Sequence, residues 1–418
     1  MVGAGSRRIC RSSRETTGRL QLKRSLAFRL AALVLTGGLA WTAIALTRAP
    51  DRTTELDYRV DSPYESVDWT WTQYKSGFHF HTTKSDGDNS LREMVDTAYG
   101  LGYHVYAATD HNVVTESWVG SHLPGAPEGK ADKANFYFTQ AEIDAMFAGE
   151  GRDGQAGLLG VPNSSEQSVK DHLNTFWTPW SNSEGATLES KIAHVDAMTG
   201  QPDPVMHINH PGRYYGGSNL MTGTTAANDP AKVARYVGLF EKYPDTLVGM
   251  EIVNKVDDGD SYSDRILWDN ILEETMPARN VFGFSNDDAH ETAAVGYDYN
   301  QFLMPELSEK AVYDTMKSGA WYSTALVAKR ELGSDFKGDR TRPAPTISRI
   351  TVDQKADSIT ITGANYDTIE WIADGKVVAT GATIDLDQVG KDVDNYVRAQ
   401  LKGDNGISFT NAFGVDLN

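Results

Sequence analysis

Cysteine is almost absent from this chain of 418 residues, and the single one, Cys10, lies in a basic N-terminal segment. Disulfide bonds therefore cannot stabilise the rest of the chain, and a catalytic thiolate or a cysteine-ligated zinc ion is excluded there. Hydrophobic residues make up 40% of the chain and charged residues 23%. That composition is typical of globular proteins with a real core, and it excludes disorder throughout, collagen-like repetition and a multi-pass membrane protein.

Basic side chains are scarce after residue 50. Residues 1–50 carry nine lysines and arginines against one acidic residue, whereas residues 51–418 carry 30 basic and 56 acidic residues. A body this acidic repels a phosphate backbone at long range, so duplex nucleic acid is not an expected partner. A local cationic or metal-lined pocket can still bind a small anion.

Long apolar runs are also scarce, and the one that stands out is Leu30–Leu46, which follows eight basic residues. Its length of about 17 residues is at the short limit for crossing a bilayer, and the preceding positive charge places that end in the cytoplasm. We interpret residues 1–29 as a basic cytoplasmic arm and residues 30–47 as a signal anchor or a cleaved signal peptide. The body is therefore predicted to be exported, either anchored to the membrane outside the cytoplasm or secreted.

The remaining chain divides into three parts by pattern. Residues 48–75 are polar and predict a linker. Over residues 76–340, strand-like and helix-like patterns alternate about seven times, which favours an α/β barrel or a doubly wound sheet. Residues 341–418 show short alternating strands, with a strong hairpin signal at Asp374-Gly375, and predict a small all-β sandwich domain.

Histidines and carboxylates cluster at the ends of the predicted strands. His79 and His81 are two positions apart, so in a strand both rings project from one face and can bind one metal ion. Barrel enzymes assemble their sites at the C-terminal ends of strands. Divalent cations are the natural reason for such a convergence, because unpaired buried polar groups are costly. The other members of the series are Asp86, Asp110, His111, Glu166, His172, His207, His210, Glu251, Asp288 and His290.

This series resembles the PHP (polymerase and histidinol phosphatase) family in its motifs HxHT, SDG, TDH, NHPGR and SNDDAH. The resemblance implies that residues 76–340 form a distorted (β/α)7 barrel with two or three divalent metal ions, Mn, Zn or Fe. It implies that His79, His81 and Asp288 bind the first ion and that Glu166 bridges two ions. The other implied ligands are Asp86, His111, His172, His210 and His290.

The expected activity is hydrolysis of a phosphomonoester or small phosphodiester by a metal-bridging hydroxide. Arg213 is expected either to bind phosphate oxygens of this small phosphorylated substrate or to be a surface residue. Asp110 is expected to orient His111 or a neighbouring ligand. His207 is either a ligand or a packing residue, and Glu251 either faces the site or forms a structural salt bridge. Two other functions stay open: an amidohydrolase-type hydrolase of a C–N or C–O bond, and a catalytically inactive cell-surface binding protein.

Overall fold

Strands and amphipathic helices alternate over much of the chain. The computed structural model describes residues 57–119, 137–181, 185–219 and 221–417. The strands up to residue 325 are β1 (Tyr58–Asp61), β2 (Gln73–Gly77), β3 (Val105–Tyr106), β4 (Leu159–Gly160), β5 (Ser165–Gln167), β6 (Leu173–Phe176), β7 (Val205–Ile208), β8 (Leu247–Asn254), β9 (Phe282–Asn286), β10 (Asp298–Leu303) and β11 (Trp321–Ala325). The α-helices over the same part and just beyond it are α1 (Leu91–Gly100), α2 (Gln140–Phe147), α3 (Leu188–Asp196), α4 (Gly212–Tyr215), α5 (Gly223–Ala227), α6 (Pro230–Lys242), α7 (Asp264–Thr275), α8 (Glu309–Ser318) and α9 (Lys329–Leu332).

The helices begin where the sequence supplies a capping side chain. At α1, the Ser90 hydroxyl accepts a hydrogen bond from the backbone N–H of Glu93, and the Glu93 carboxylate accepts one from the backbone of Ser90. Ser308 caps α8 by accepting a hydrogen bond from the backbone N–H of Ala311. The apolar positions of α1, spaced three and four apart, are buried, so this helix is fixed by both its cap and its core-facing stripe.

The predicted alternation of strands and helices is broken in the middle of the chain. Strands β2, β3 and β4 pair in parallel, and so do β7, β8 and β9 in a second sheet. Strand β6, however, runs antiparallel to both β5 and β7. Antiparallel neighbours need only a short turn, whereas parallel neighbours need a long crossover. The region is thus a mixed α/β structure, and the hairpin β5–β6 replaces one parallel unit of the expected barrel.

The two sheets meet at two isolated parallel bridges, one between Phe80 and Ala289 and the other between His111 and Glu166. Phe80 continues the line of β2 and Ala289 follows β9, so the first bridge joins the edges of the two sheets. The first bridge lies next to His81 and Asp288, and the second joins two residues of the predicted metal site, His111 and Glu166. The edge where the sheets meet therefore positions that site.

The C-terminal region packs one sheet on another. Its strands are β12 (Thr346–Asp353), β13 (Ser358–Ala364), β14 (Thr368–Ala373), β15 (Lys376–Thr380), β16 (Thr383–Asp385), β17 (Tyr396–Gly403), β18 (Gly406–Thr410) and β19 (Phe413–Leu417), with the short helix α10 (Leu386–Val389) after β16. Ile347 and Ile359 from the sheet β12-β13-β16 share one buried core with Trp371 and Val397 from β14 and β17. The predicted hairpin at Asp374-Gly375 is confirmed, since it joins β14 to β15 with both residues at positive φ.

This C-terminal region is continuous with the preceding one. Strand β18 pairs with β11, and β1 pairs with β19. One sheet of eleven strands therefore crosses residue 340, and its main path runs in the order β1-β19-β17-β18-β11-β10-β2-β3-β4.

The predictions for the N-terminal part of the chain concern a linker, a basic arm and an apolar segment. The linker predicted over residues 48–75 is wrong for its described part, because β1 and the start of β2 lie there. Tyr58 and Val60 are buried between exposed Arg59 and Asp61, an alternation hidden in an otherwise polar stretch. The arm 1–29 and the apolar segment 30–47 lie outside the described residues. Within the described ranges, no helix is both long and apolar enough to cross a bilayer.

Candidate metal centre

All nine predicted metal ligands lie together where the two sheets meet. They form four overlapping groups, and the ligand atoms within each group are within 4.8 Å of one another. The groups are His81, Asp86, His111 and His290; His79, His81 and Glu166; His79, His210 and Asp288; and His111, Glu166 and His172. The structure thus brings the predicted residues together from five separate stretches of the chain, and their binding of metal stays a prediction.

Alternation in the sequence aims the first two histidines at the site. Phe78 packs against other phenylalanine rings, at 5.0 Å from the ring centroid of Phe302, and Phe80 stacks on Tyr106 at 4.2 Å. Because successive side chains in an extended chain point in opposite directions, burying the two phenylalanines turns His79 and His81 to the opposite face. Their Nε2 atoms lie 3.1 Å apart, so both rings converge on one point.

Glu166 is the centre of the cluster and is completely buried. Its Oε1 lies 3.2 Å from His79 Nε2 and 2.9 Å from His172 Nδ1. Its Oε2 lies 2.6 Å from His111 Nδ1 and 3.5 Å from His81 Nε2. Oε1 also lies 3.5 Å from His210 Nε2. Since the two oxygens face different imidazoles, this carboxylate has the placement that bridging two ions would require.

The remaining carboxylates define an inner and an outer side. Asp288 is almost fully buried, and its Oδ1 lies 3.0 Å from His81 Nε2 and 3.3 Å from His79 Nε2. The Asp86 side chain is 54% exposed, and its Oδ2 lies 3.4 Å from Nε2 of both His111 and His290. Asp86 therefore lies on a side of the cluster that solvent can reach.

Opposite charges perturb the ionisation of the whole cluster. Burial alone would raise the pKa of Glu166, but the neighbouring His79, His172 and His111 hold this pKa well below its ordinary value. Burial alone would lower the pKa of His111, but the carboxylates of Asp86 and Glu166 raise it to about 10. The carboxylates thus stay ionised and favour positive charge around them, which a bound cation would also supply.

The donor set fits divalent metal ions. Within the described residues, His81 Nδ1 is a buried atom without a hydrogen-bond partner, and the buried His111 Nδ1 and Glu166 Oε2 lie 2.6 Å apart without hydrogen-bond geometry. A buried polar atom left without a partner costs about 1–3 kcal/mol. Imidazoles and carboxylates together suit Mn, Fe and Zn. The residues of the cluster can therefore hold such ions, and the identity of the metal is not determined by them.

Glu251, which was expected either to face the site or to form a structural salt bridge, contacts the candidate ligand His79. It is completely buried and accepts four hydrogen bonds, from His79 Nδ1 at 2.8 Å, the backbone N–H of His210 at 2.8 Å, and the side-chain amides of Asn254 and Asn286, both at 2.9 Å. A carboxylate on Nδ1 fixes the histidine tautomer whose Nε2 lone pair faces the site. Glu251 is thus a residue that orients His79.

The structure gives Asp110 and His207 roles outside the ligand set. The Asp110 carboxylate accepts hydrogen bonds from the backbone N–H of Thr82 at 2.7 Å and from the Ser85 hydroxyl at 2.8 Å. It therefore fixes the turn between His81 and Asp86, and its carboxylate points to this turn instead of to His111. His207 is buried between phenylalanine rings, stacked on Phe284 at 4.5 Å. Burial lowers its pKa to about 4, and it is a packing residue.

Two cations, Arg213 and Lys255, lie at the rim of the cluster. The Arg213 side chain is 48% exposed and its Nη1 lies 3.8 Å from Asp260 Oδ2, so its described ion pair is with this rim residue. Lys255, which the prediction missed, has its Nζ 3.5 Å from Asp288 Oδ2 and 3.1 Å from Asp260 Oδ2. It follows the last residue of β8, so the strand-end rule that located the histidines applies to it as well.

Asn209 is a further residue that the prediction missed. Its side-chain amide donates a hydrogen bond of 2.7 Å to Glu166 Oε1, and its side-chain carbonyl accepts one of 3.2 Å from the backbone N–H of Asn174. It lies in the NHPGR motif directly before His210. Asn209 could have been identified from the sequence because it is adjacent to the candidate ligand His210.

No protein-family model and no curated protein matches this sequence. Among solved structures, the chain is similar to a two-domain protein containing a predicted PHP-like metal-dependent phosphoesterase from Bacteroides vulgatus ATCC 8482, with 14% identity and a TM-score of 0.39 over 83% of this chain and 88% of that chain. It is also similar to the lesion-specific endonuclease PfuEndoQ from Pyrococcus furiosus, with 11% identity and a TM-score of 0.33 over 62% of this chain and 60% of that one. Similarity at this level leaves the chemistry to be judged from the residues themselves.

Proposed function

We propose that this protein is a metal-dependent phosphoesterase that hydrolyses a phosphomonoester or a small phosphodiester. The observation that carries the proposal is the placement of the buried Glu166 carboxylate among five imidazoles, where it belongs to two of the four overlapping groups of candidate ligands. The motif series that produces this cluster resembles the PHP family, whose members hold two or three metal ions in a distorted barrel. His79, His81, His210 and the two buried carboxylates would hold the inner ions.

The chemistry follows from charge. When bound, divalent ions lower the pKa of water and neutralise the oxygens of a phosphoryl group. Phosphoryl transfer needs mainly positioning and charge stabilisation from the protein. Glu251 supplies positioning by fixing His79, and Asp110 supplies it by fixing the turn that carries Asp86. The buried side of the cluster excludes bulk water, and the substrate would approach over the exposed rim that carries Asp86 and Lys255.

We further propose that the body of the protein acts outside the cytoplasm on a small phosphorylated molecule. The basic segment before Leu30–Leu46 supports export, and the excess of acidic residues after residue 50 disfavours duplex nucleic acid as a substrate. Retention of the N-terminal segment would leave the protein anchored to the membrane, and its cleavage would release it.

The test is hydrolysis of p-nitrophenyl phosphate and bis-p-nitrophenyl phosphate by the purified full chain with Mn or Zn. We expect turnover that disappears, together with bound metal, in the double variant His79→Ala, His81→Ala. His194→Ala is the matched control, because His194 is exposed on α3. Failure of metal-loaded protein to hydrolyse either ester would overturn the proposal and favour amide or lactone substrates, or a binding protein without activity.

A further inference from the structure

Lys255 is a cation placed at the edge of the metal cluster. Its Nζ contacts Asp288 Oδ2 at 3.5 Å, whereas Oδ1 of the same carboxylate faces His79 and His81. The Lys255 side chain is 29% exposed, so its ammonium group lies between the buried ligands and solvent. An anion that entered over Asp288 would meet this ammonium group as well as the ligands.

The backbone around Lys255 is fixed in an unfavourable conformation. Lys255 has φ +66° and Asp258 has φ +49°, and the left-handed region costs a non-glycine residue about 1–2 kcal/mol. Such strain persists where the surroundings over-determine it, commonly at ligand-binding sites. The surroundings here are rigid, because the Lys255 N–H donates to the carbonyl of Asn286 at 3.2 Å and the Asn254 N–H donates to Ser261 Oγ at 2.8 Å.

A buried ion pair secures the far end of the same loop. Arg265 is completely buried and donates from both terminal nitrogens to Asp258, each at 2.8 Å. Asp258 also accepts a hydrogen bond of 2.6 Å from Ser261 Oγ. The loop is therefore held on both sides of Lys255, which restricts where its side chain can reach.

The donors of Lys255 leave capacity for a ligand. A lysine ammonium has three N–H donors. Asp260 accepts one at 3.1 Å, and Asp288 lies at the longer distance of 3.5 Å. Asp260 also pairs with the half-exposed Arg213 at 3.8 Å. Two cations therefore flank one rim carboxylate, and a phosphoryl oxygen beside Asp288 can take a donor from Lys255.

We infer that Lys255 determines specificity by binding a terminal phosphoryl oxygen, so that the site prefers dianionic phosphomonoesters to phosphodiesters. The inference rests on the proposed phosphoesterase function. A monoester presents three terminal oxygens and carries nearly two negative charges near neutral pH, whereas a diester presents two oxygens and one charge. When bound, divalent ions would neutralise two of these oxygens, and the Lys255 ammonium group would supply the cation for the third.

The experiment compares Lys255→Met, which keeps the length of the side chain, with Lys255→Arg, which keeps the charge. Lys310→Met is the matched control, because Lys310 is 82% exposed on α8. For each full-length, metal-loaded protein we would measure kcat/KM for p-nitrophenyl phosphate and for bis-p-nitrophenyl phosphate, the inhibition constant of inorganic phosphate, and the metal content.

We expect Lys255→Met to lower kcat/KM for the monoester by about 10- to 100-fold, as loss of a charged hydrogen bond predicts. The diester value should change by less than about threefold on the same reasoning, since its two terminal oxygens need no third cation. The inhibition constant of inorganic phosphate should rise by a factor similar to the fall in kcat/KM for the monoester, and the metal content should stay unchanged. Lys255→Arg should retain part of the monoester activity that Lys255→Met loses.

Three results would overturn the inference. Equal losses for both esters with unchanged phosphate inhibition would show a merely structural role for Lys255. Wild-type protein that hydrolyses only the diester would refute the monoester preference and leave the phosphoesterase function standing. Wild-type protein that hydrolyses neither ester while fully loaded with metal would refute the function itself, and with it the inference.

Discussion

Replacing Glu251 by glutamine tests whether the support behind the cluster controls metal binding. Both Glu251 oxygens accept two hydrogen bonds: Oε1 from His79 Nδ1 and the Asn286 amide, and Oε2 from the backbone N–H of His210 and the Asn254 amide. A glutamine keeps one acceptor oxygen and turns an amide group toward the other pair of donors. Since the side chain is completely buried, water cannot relieve the conflict.

The magnitude follows from the two orientations of the amide. If it faces His210 and Asn254, two hydrogen bonds to a charged acceptor are lost, each worth about 1.5–3 kcal/mol. If the amide N–H faces His79, the imidazole can accept a hydrogen bond at Nδ1. The imidazole proton then moves to Nε2, the atom that lies 3.2 Å from Glu166 Oε1. The second orientation preserves more of the fold and removes a metal-binding lone pair. We therefore expect metal affinity to fall by about 10- to 100-fold.

The assay is equilibrium dialysis of Glu251→Gln against buffered free Zn or Mn, with bound metal measured by elemental analysis. Urea unfolding in EDTA measures the stability of the metal-free protein, which should fall by about 1.5–3 kcal/mol because at least one charged hydrogen bond is lost. Glu241→Gln is the control, since Glu241 is exposed on α6. Unchanged metal affinity in a variant that folds normally would refute the orienting role of Glu251.

Three further predictions concern residues that are not themselves predicted ligands. Lys191→Met removes an ammonium group that donates to three backbone carbonyls of segment 167–171. The substitution should lower the free energy of unfolding in urea by about 2–4 kcal/mol. An unchanged value would mean that water replaces the ammonium group. Arg398→Met leaves the buried Asp269 without its bidentate partner and should cost about 3–5 kcal/mol by the same measurement, whereas a loss below about 1 kcal/mol would be typical of an exposed pair. His207 has its pKa lowered to about 4 from an ordinary 6.5, so the unfolded chain binds a proton that the folded chain lacks, and stability falls as the pH drops through this window. His207→Phe should flatten this part of the pH dependence of unfolding, and an identical slope would contradict the assignment.

Local sequence determined several features of this protein. The alternation from Phe78 to His81 fixes which face the histidines occupy, because the two aromatic rings must be buried. The Asp374-Gly375 turn is likewise set locally, since both residues adopt the positive φ that a two-residue hairpin requires. Each feature depends on neighbours a few positions away, and such patterns can be read directly from a sequence.

Strand β10 shows where local pattern is insufficient. It begins Asp298-Tyr299-Asn300, and both Asp298 and Asn300 are completely buried. No hydrophobic period marks it as a strand. Asn300 is accommodated because its amide donates to the carbonyl of Ser285 in β9 at 2.9 Å, and its own carbonyl accepts from the Ser285 N–H at 3.0 Å. Hydrogen bonds from a neighbouring strand, which the tertiary structure provides, allow Asn300 to be buried.

The sequence by itself determined which residue types can bind metal and the strand ends that carry them. Only the tertiary structure decided their partners: Glu251 lies 172 positions from His79 in the chain, and β1 pairs with β19 at the opposite end of the described chain. It also decided that Lys255 and not Arg213 contacts a predicted ligand. The physical reason is that a side chain's charge and shape are fixed by its identity, whereas its surroundings depend on how distant segments pack.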